Sequence, residues 1–161
     1  MSESQLAVHG EVAHPLSLTY DDLAAMPRDA QVADISQLDA KRQGDAVKLE
    51  AVLERAGLKP SARYLTLHSS TDDFHASVPL DAVRERGLLV YRLEGAPLPV
   101  KAGGPFRFFI PDFAACHTQE VDECANVKFV DRIELSHQRG QDNRPSEEEE
   151  HAKLHERQAR E

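Results

Sequence analysis

Residues 93–111 read LEGAPLPVKAGGPFRFFIP, and residues 127–136 read VKFVDRIELS. Glu94-Gly95 is a turn signal, and Pro97 and Pro99 lead to the paired glycines Gly103 and Gly104. Glycine accepts backbone conformations that other residues avoid, and proline fixes φ, so Gly103-Gly104-Pro105 predicts a tight bend. The aromatic run after it reads as a strand, and so does VKFVDRIELS, with Lys128 near its start. A strand built for burial has no use for Arg107 in its middle. Both cysteines of the chain, Cys116 and Cys124, fall between these two stretches.

Toward the N-terminus, LAVHGEV alternates apolar and polar residues and predicts a strand. Leu16–Leu18 is a second extended piece. Thr19 is placed to cap a short helix with Asp21 and Asp22 in its first turn, where the helix dipole favours acid, and Pro27 closes it. AQVADIS alternates again, with Val32 and Ile35 as core candidates. DAVKLEAVLERAGLKP, residues 45–60, predicts a helix with Val47, Leu49, Val52, Leu53 and Ala56 on one face; Gly57 stops it and Pro60 follows. ARYLTLHSS and FHASVPL predict two strands around an acidic turn. Tyr64, Thr66 and His68 take one side of the first, and Leu65 and Leu67 the other. A brief helix over LDAVRERG and a buried strand over LLVYRL complete the pattern. No phosphate-binding glycine loop, catalytic triad order or HExxH motif occurs, and no internal repeat. The expected class is α+β: a strand-rich mixed sheet with a few short helices.

The chain has 161 residues and a formal net charge of −9, so it predicts one domain and argues against nucleic acid, whose phosphates an acidic surface repels. No apolar run reaches membrane-spanning length, and the N-terminus does not read as a secretory leader, so the expectation is a soluble, cytoplasmic protein. After Ser136 apolar residues nearly vanish. Residues 1–136 are therefore read as the domain and 137–161 as a polar tail, disordered or a frayed helix starting at a Ser146–Glu149 capping box. The tail and the acidic surface are the candidate contacts for a protein partner.

Four ordered pieces, VHGEVAHPLSLTYDDLAAMP, GDAVKLEAVLERAGLKPSARYLTLHSSTDDFHASVPLDAV, LLVYRLEGAPLPVKAGGPFRFFIP and VKFVDRIELS, together resemble the oxidoreductase molybdopterin-binding domain, the sulfite-oxidase-like fold. The resemblance covers about residues 6–136. It implies a β-rich α+β domain that, in active members, holds molybdenum on a pterin dithiolene and transfers oxygen atoms or electrons. It also implies that Arg107 and Lys128 sit near the cofactor. The residue types agree with this. A flat anion with a phosphate arm needs close backbone approach, which Gly103 and Gly104 permit, and fixed cations, which Arg107 and Lys128 supply. The competing reading puts Arg107 and Lys128 on the solvent face of an edge strand.

The chain departs from the family where active members carry a metal-binding cysteine. The matching interval, RDAQVADISQLDAKRQGDAV, holds none, and Ser36 is the nearest candidate by position. Thiolate is the softer, better ligand for this chemistry, so no metal ligand is assigned and the catalytic residues stay unknown. The expected protein is a domain that keeps the fold and part of the pterin site but is inactive or altered as an oxidoreductase. The other reading is a binding or assembly module without cofactor. Cys116 and Cys124, with His117, Asp122 and Glu123 nearby, allow three readings: part of a metal site, a reversible disulfide, or buried reduced thiols.

Overall fold

The computed structural model describes residues 4–38, 43–111 and 126–143. The chain opens with β1 (Leu6–Gly10), β2 (Leu16–Leu18) and α1 (Tyr20–Ala24). Alternation in β1 buries Leu6 and Val8 completely. Thr19 caps α1 as expected: its hydroxyl accepts the Asp22 amide at 3.3 Å, and the Asp22 carboxylate accepts the Thr19 amide at 2.9 Å. A 3-10 turn leads into β3 (Gln31–Val32), and a second, Ile35–Gln37, follows it.

The helix expected over 45–60 divides in two. Asp45–Lys48 is a strand, β4, and only Leu49–Ala56 is helical, α2. Val47 pairs with Gln31 of β3 on one side and with Leu89 of β7 (Leu88–Leu93) on the other. Two flanking strands satisfy its backbone, which overrides a helical period read from side chains alone. Leu49, Val52, Leu53 and Ala56 do form the buried helix stripe, and Gly57 ends it at φ +72°.

The remaining elements are β5 (Tyr64–Ser69), β6 (Phe74–Pro79), α3 (Leu80–Val83), β8 (Ala96–Pro97), β9 (Arg107–Phe109) and β10 (Arg132–Ser136). One sheet runs β2-β1-β10-β5-β6, with β1 and β10 parallel and its other pairs antiparallel. The other runs β3-β4-β7-β8, with β9 also on β7. The class is α+β with a mixed sheet, as expected. The main core joins inward residues of both sheets with α2, and a smaller cluster of Ile35, Ala46, Leu88, Val90, Leu98 and Phe109 lies beside it.

The last strand is shorter than the sequence predicts. Phe129 takes φ +57°, and residues 127–130 fold against β9 instead. The Phe108 amide donates to the Val127 carbonyl at 2.8 Å, and the Val130 amide to the Phe106 carbonyl at 2.9 Å. Lys128 therefore sits on a loop before β10, not on the strand. Past Ser136, residues 139–143 run along β6: Asn143 exchanges backbone and side-chain hydrogen bonds with His75, and the Asp142 carboxylate accepts the Ser77 amide at 3.1 Å. Residues 144–161, and with them the predicted capping box, lie outside the described residues. No helix among the described residues is long and apolar enough to cross a membrane.

Candidate functional site

The bend predicted at Gly103-Gly104-Pro105 is built by a 3-10 turn, Val100–Ala102, that runs into Gly103 at φ +98°. The two glycines serve different neighbours. A Cβ on Gly103 would lie 2.9 Å from the Arg107 Cδ and 3.0 Å from both an Arg107 guanidinium nitrogen and the Lys128 Cβ. A Cβ on Gly104 would instead collide with the Leu98 carbonyl oxygen. Neither amide is aimed outward: Gly103 donates to Val100 at 2.9 Å and Gly104 to Pro99 at 3.0 Å. The glycines thus let the turn close and its neighbours approach, rather than lending amides to a ligand.

Arg107 is half-buried, and its Nη1 donates to the Ala102 carbonyl at 3.2 Å. The Phe129 amide donates to the Gly103 carbonyl at 2.8 Å, which locks the Lys128 loop beside the turn. Gly103, Arg107 and Lys128 therefore converge, although 21 positions separate Arg107 from Lys128. Lys128 is exposed, with its ammonium 5.8 Å from the Phe129 ring centroid. One cation is seated against the turn and the other reaches into water beside it. That arrangement is able to hold an anion by a planar guanidinium plus a mobile point charge.

Ser36 lies on the 3-10 turn Ile35–Gln37, half-buried, on the wall of a cavity of about 270 Å³. The same wall carries Asp34, Asp45 and Glu94, together with Gly44 and Leu93. The Ser36 hydroxyl donates to the Asp34 carboxylate, which also accepts the Ser36 amide at 3.2 Å. Asp45 accepts the Asp34 amide at 2.8 Å and pairs with the Arg92 Nε at 2.9 Å, a contact that raises the Arg92 pKa above its ordinary value. The acidic character of this cleft is not visible in the sequence, because Glu94 joins it only through the fold. The Asp34-x-Ser36 spacing was the one legible signal, since aspartate commonly bonds the backbone two residues on.

The two regions share a wall. Ile35, next to Ser36, packs in the same small cluster as Leu98, while Ala102, next to Gly103, packs against it. The structure so brings the Ser36 segment and the glycine turn to one end of the second sheet. It leaves Cys116 and Cys124, with His117, Asp122 and Glu123, outside the described residues. No group of three or more metal-binding side chains occurs among the described residues.

Residues 39–144 match the family model described as the oxidoreductase molybdopterin binding domain. The chain belongs to this family. The match begins after Ser36 and includes the glycine turn, Arg107 and Lys128. The uncharacterized oxidoreductase YuiH of Bacillus subtilis is 36% identical over 118 residues, covering 69% of this chain. The sulfane dehydrogenase SoxCD of Paracoccus pantotrophus superposes with a TM-score of 0.61 over 86% of this chain, at 22% identity, and shows the shared fold. This chain spans 58% of the length of YuiH and 40% of that of the SoxCD chain.

The molybdopterin family's cofactor can be tested against these side chains. Arg107 and Lys128 at a closed glycine turn suit the anionic arm of a pterin. Ser36 does not suit the metal. Its hydroxyl is committed to a carboxylate, and among the described residues three acidic side chains and no soft ligand line its cavity, surroundings that disfavour an anionic metal complex.

Proposed function

We propose that this molybdopterin-family domain retains a site for the anionic arm of the cofactor but does not ligate its metal, so that it is inactive or altered as an oxidoreductase. The observation that carries this reading is the convergence of Arg107 and Lys128 on Gly103 while Ser36 is turned to Asp34. When bound, the cofactor supplies oxygen-atom or electron transfer. Of this chain's own groups, the Arg107 guanidinium would hold and neutralise the phosphate, and the exposed Lys128 ammonium would add a second positive charge.

The test is expression with abundant cofactor, followed by assay of released pterin and of molybdenum in the same sample. The wild-type chain is expected to carry pterin, with any molybdenum held by the dithiolene and not by a side chain. Arg107→Ala is expected to lower retained pterin about 10- to 100-fold, the effect of one charge-assisted hydrogen bond of roughly 1.5–3 kcal/mol. X-ray absorption that shows a side-chain ligand on the molybdenum beside the dithiolene sulfurs would overturn the loss of ligation. Absence of pterin would overturn the cofactor site and leave the other reading, a non-catalytic module that engages a protein through its acidic surface or tail.

A further inference from the structure

The first sheet contains a buried polar chain that the cofactor reading does not use. His68 of β5 and His75 of β6 are direct cross-strand partners. Their Nδ1 atoms are 2.7 Å apart, and both residues are buried. The other nitrogen of each ring meets a carboxylate: His68 Nε2 lies 2.9 Å from Glu134 of β10, and His75 Nε2 lies 3.0 Å from Asp73 in the turn.

Proton counting restricts this chain. Ionised carboxylates only accept, so each Nε2 carries a proton. The contact between the two Nδ1 atoms then needs one donor and one lone pair. Three protons must sit on the four ring nitrogens, which makes one ring neutral and the other an imidazolium. Removing the extra proton sets two lone pairs against each other, or a lone pair against a carboxylate. Adding another sets two N–H groups against each other. Both are repulsive at hydrogen-bond distance.

We propose that His68 and His75 share a single proton, and that this proton clamps residues 139–143 onto the first sheet as a strap that loosens at both acid and alkaline pH. The strap is tied to the same residues. The Asn143 amide donates to the His75 carbonyl at 3.0 Å, and the His75 amide to the Asn143 Oδ1 at 2.8 Å. Asn143 Nδ2 also donates to the Asp73 carbonyl at 2.8 Å. Further along, the Gly140 amide donates to the Ser77 hydroxyl at 2.9 Å, and a Cβ on Gly140 would collide with the Thr66 hydroxyl. A ring forced away from its partner shifts the His75 and Asp73 backbone that holds Asn143.

The charged groups around the pair come from every neighbouring element: Arg132 and Glu134 of β10, Asp72 and Asp73 of the turn, Asp131 before β10, and Arg139 and Asp142 of the strap itself. Burial pushes His68 below the ordinary histidine range, ahead of the Glu134 contact that pulls it up and the Arg132 charge that lowers it further. Unfolded histidines take up their protons through about pH 6.5, whereas the folded pair keeps one between them, so stability falls as pH drops through that value. On the alkaline side the folded state holds a proton that the unfolded chain has released. Stability therefore falls again as the shared proton is lost.

Long-range ¹⁵N NMR of the imidazole nitrogens in the full chain tests the pairing directly. The expected result is one proton shared by the two Nδ1 atoms across the neutral range, gained or lost in separate steps on either side. Two ordinary, independent titrations would overturn the proposal. Amide exchange at Asn143 and Gly140, corrected for intrinsic rates, tests the strap. Protection is expected to peak near pH 6.5 and fall about tenfold for each pH unit on either side, for as long as the folded pair holds its one proton, as one proton per opening requires. In His75→Gln, which keeps the backbone contacts, the peak is expected to vanish. A peak that survives, or wild-type protection that is flat with pH, would sink the coupling.

Discussion

At the scale of single residues, the paired glycines show how one dipeptide meets two demands. Gly104 has the Leu98 carbonyl pressed against it, a backbone group that cannot rotate away. Gly104→Ala is therefore expected to cost about 1–3 kcal/mol, the usual range for overpacking, and to lower the melting temperature by roughly 3–10 °C. Gly103→Ala meets the flexible Arg107 side chain instead, but at φ +98°. Its cost is backbone strain of about 1–3 kcal/mol, and it displaces the guanidinium. Calorimetry of both variants, with pterin retention measured alongside, separates the two roles. Pterin retention is expected to fall in Gly103→Ala beyond what its stability loss explains. The glycines and Arg107 were legible as unusual residues because each contradicts its surroundings. The resemblance already set Lys128 beside Arg107, but the Leu98 contact was not legible, because Leu98 reaches Gly104 only through the bend.

At the scale of elements, the short helix α1 depends on its cap. Thr19 and Asp22 exchange hydrogen bonds, and the Thr19 backbone contact holds the Asp22 carboxyl below the usual carboxylate range. A depressed carboxyl contributes stability above its unfolded pKa and loses it as pH falls through the folded one. Asp22→Ala, which removes the carboxylate, is expected to cost about 0.3–1 kcal/mol at pH 7. Urea midpoints of wild type and variant should converge below about pH 4, where the unfolded carboxyl protonates. A difference that stays constant to pH 2.5 would show that the cap does not act through the Asp22 charge. This element was readable in advance because capping is local. The strand β4 was not, because the neighbours that make it a strand, Gln31 and Leu89, lie 16 and 42 positions from Val47.

At the scale of the whole molecule, β6 is the outer strand of its sheet, and residues 139–143 cover its open side. Without them the His75 and Ser77 amides lose their acceptors and β6 becomes an edge open to pairing with another chain. The double variant Asp142→Ala, Asn143→Ala is expected to lose about 1–3 kcal/mol, and to self-associate more than the wild type; denaturation midpoints and sedimentation velocity read the two effects. An unchanged midpoint would mean that water replaces both acceptors. From the sequence alone came the α+β class, the family, the α1 cap, the α2 stripe and the bend at Gly103, because capping, periodicity and glycine chemistry act within a few residues. Only the tertiary structure decided that Lys128 and Arg107 both flank Gly103, that Ser36 faces acid, and that His68 and His75 touch between carboxylates. Those are contacts between distant segments, set by sheet register and loop closure, and no local pattern encodes which side chains two strands will bring face to face.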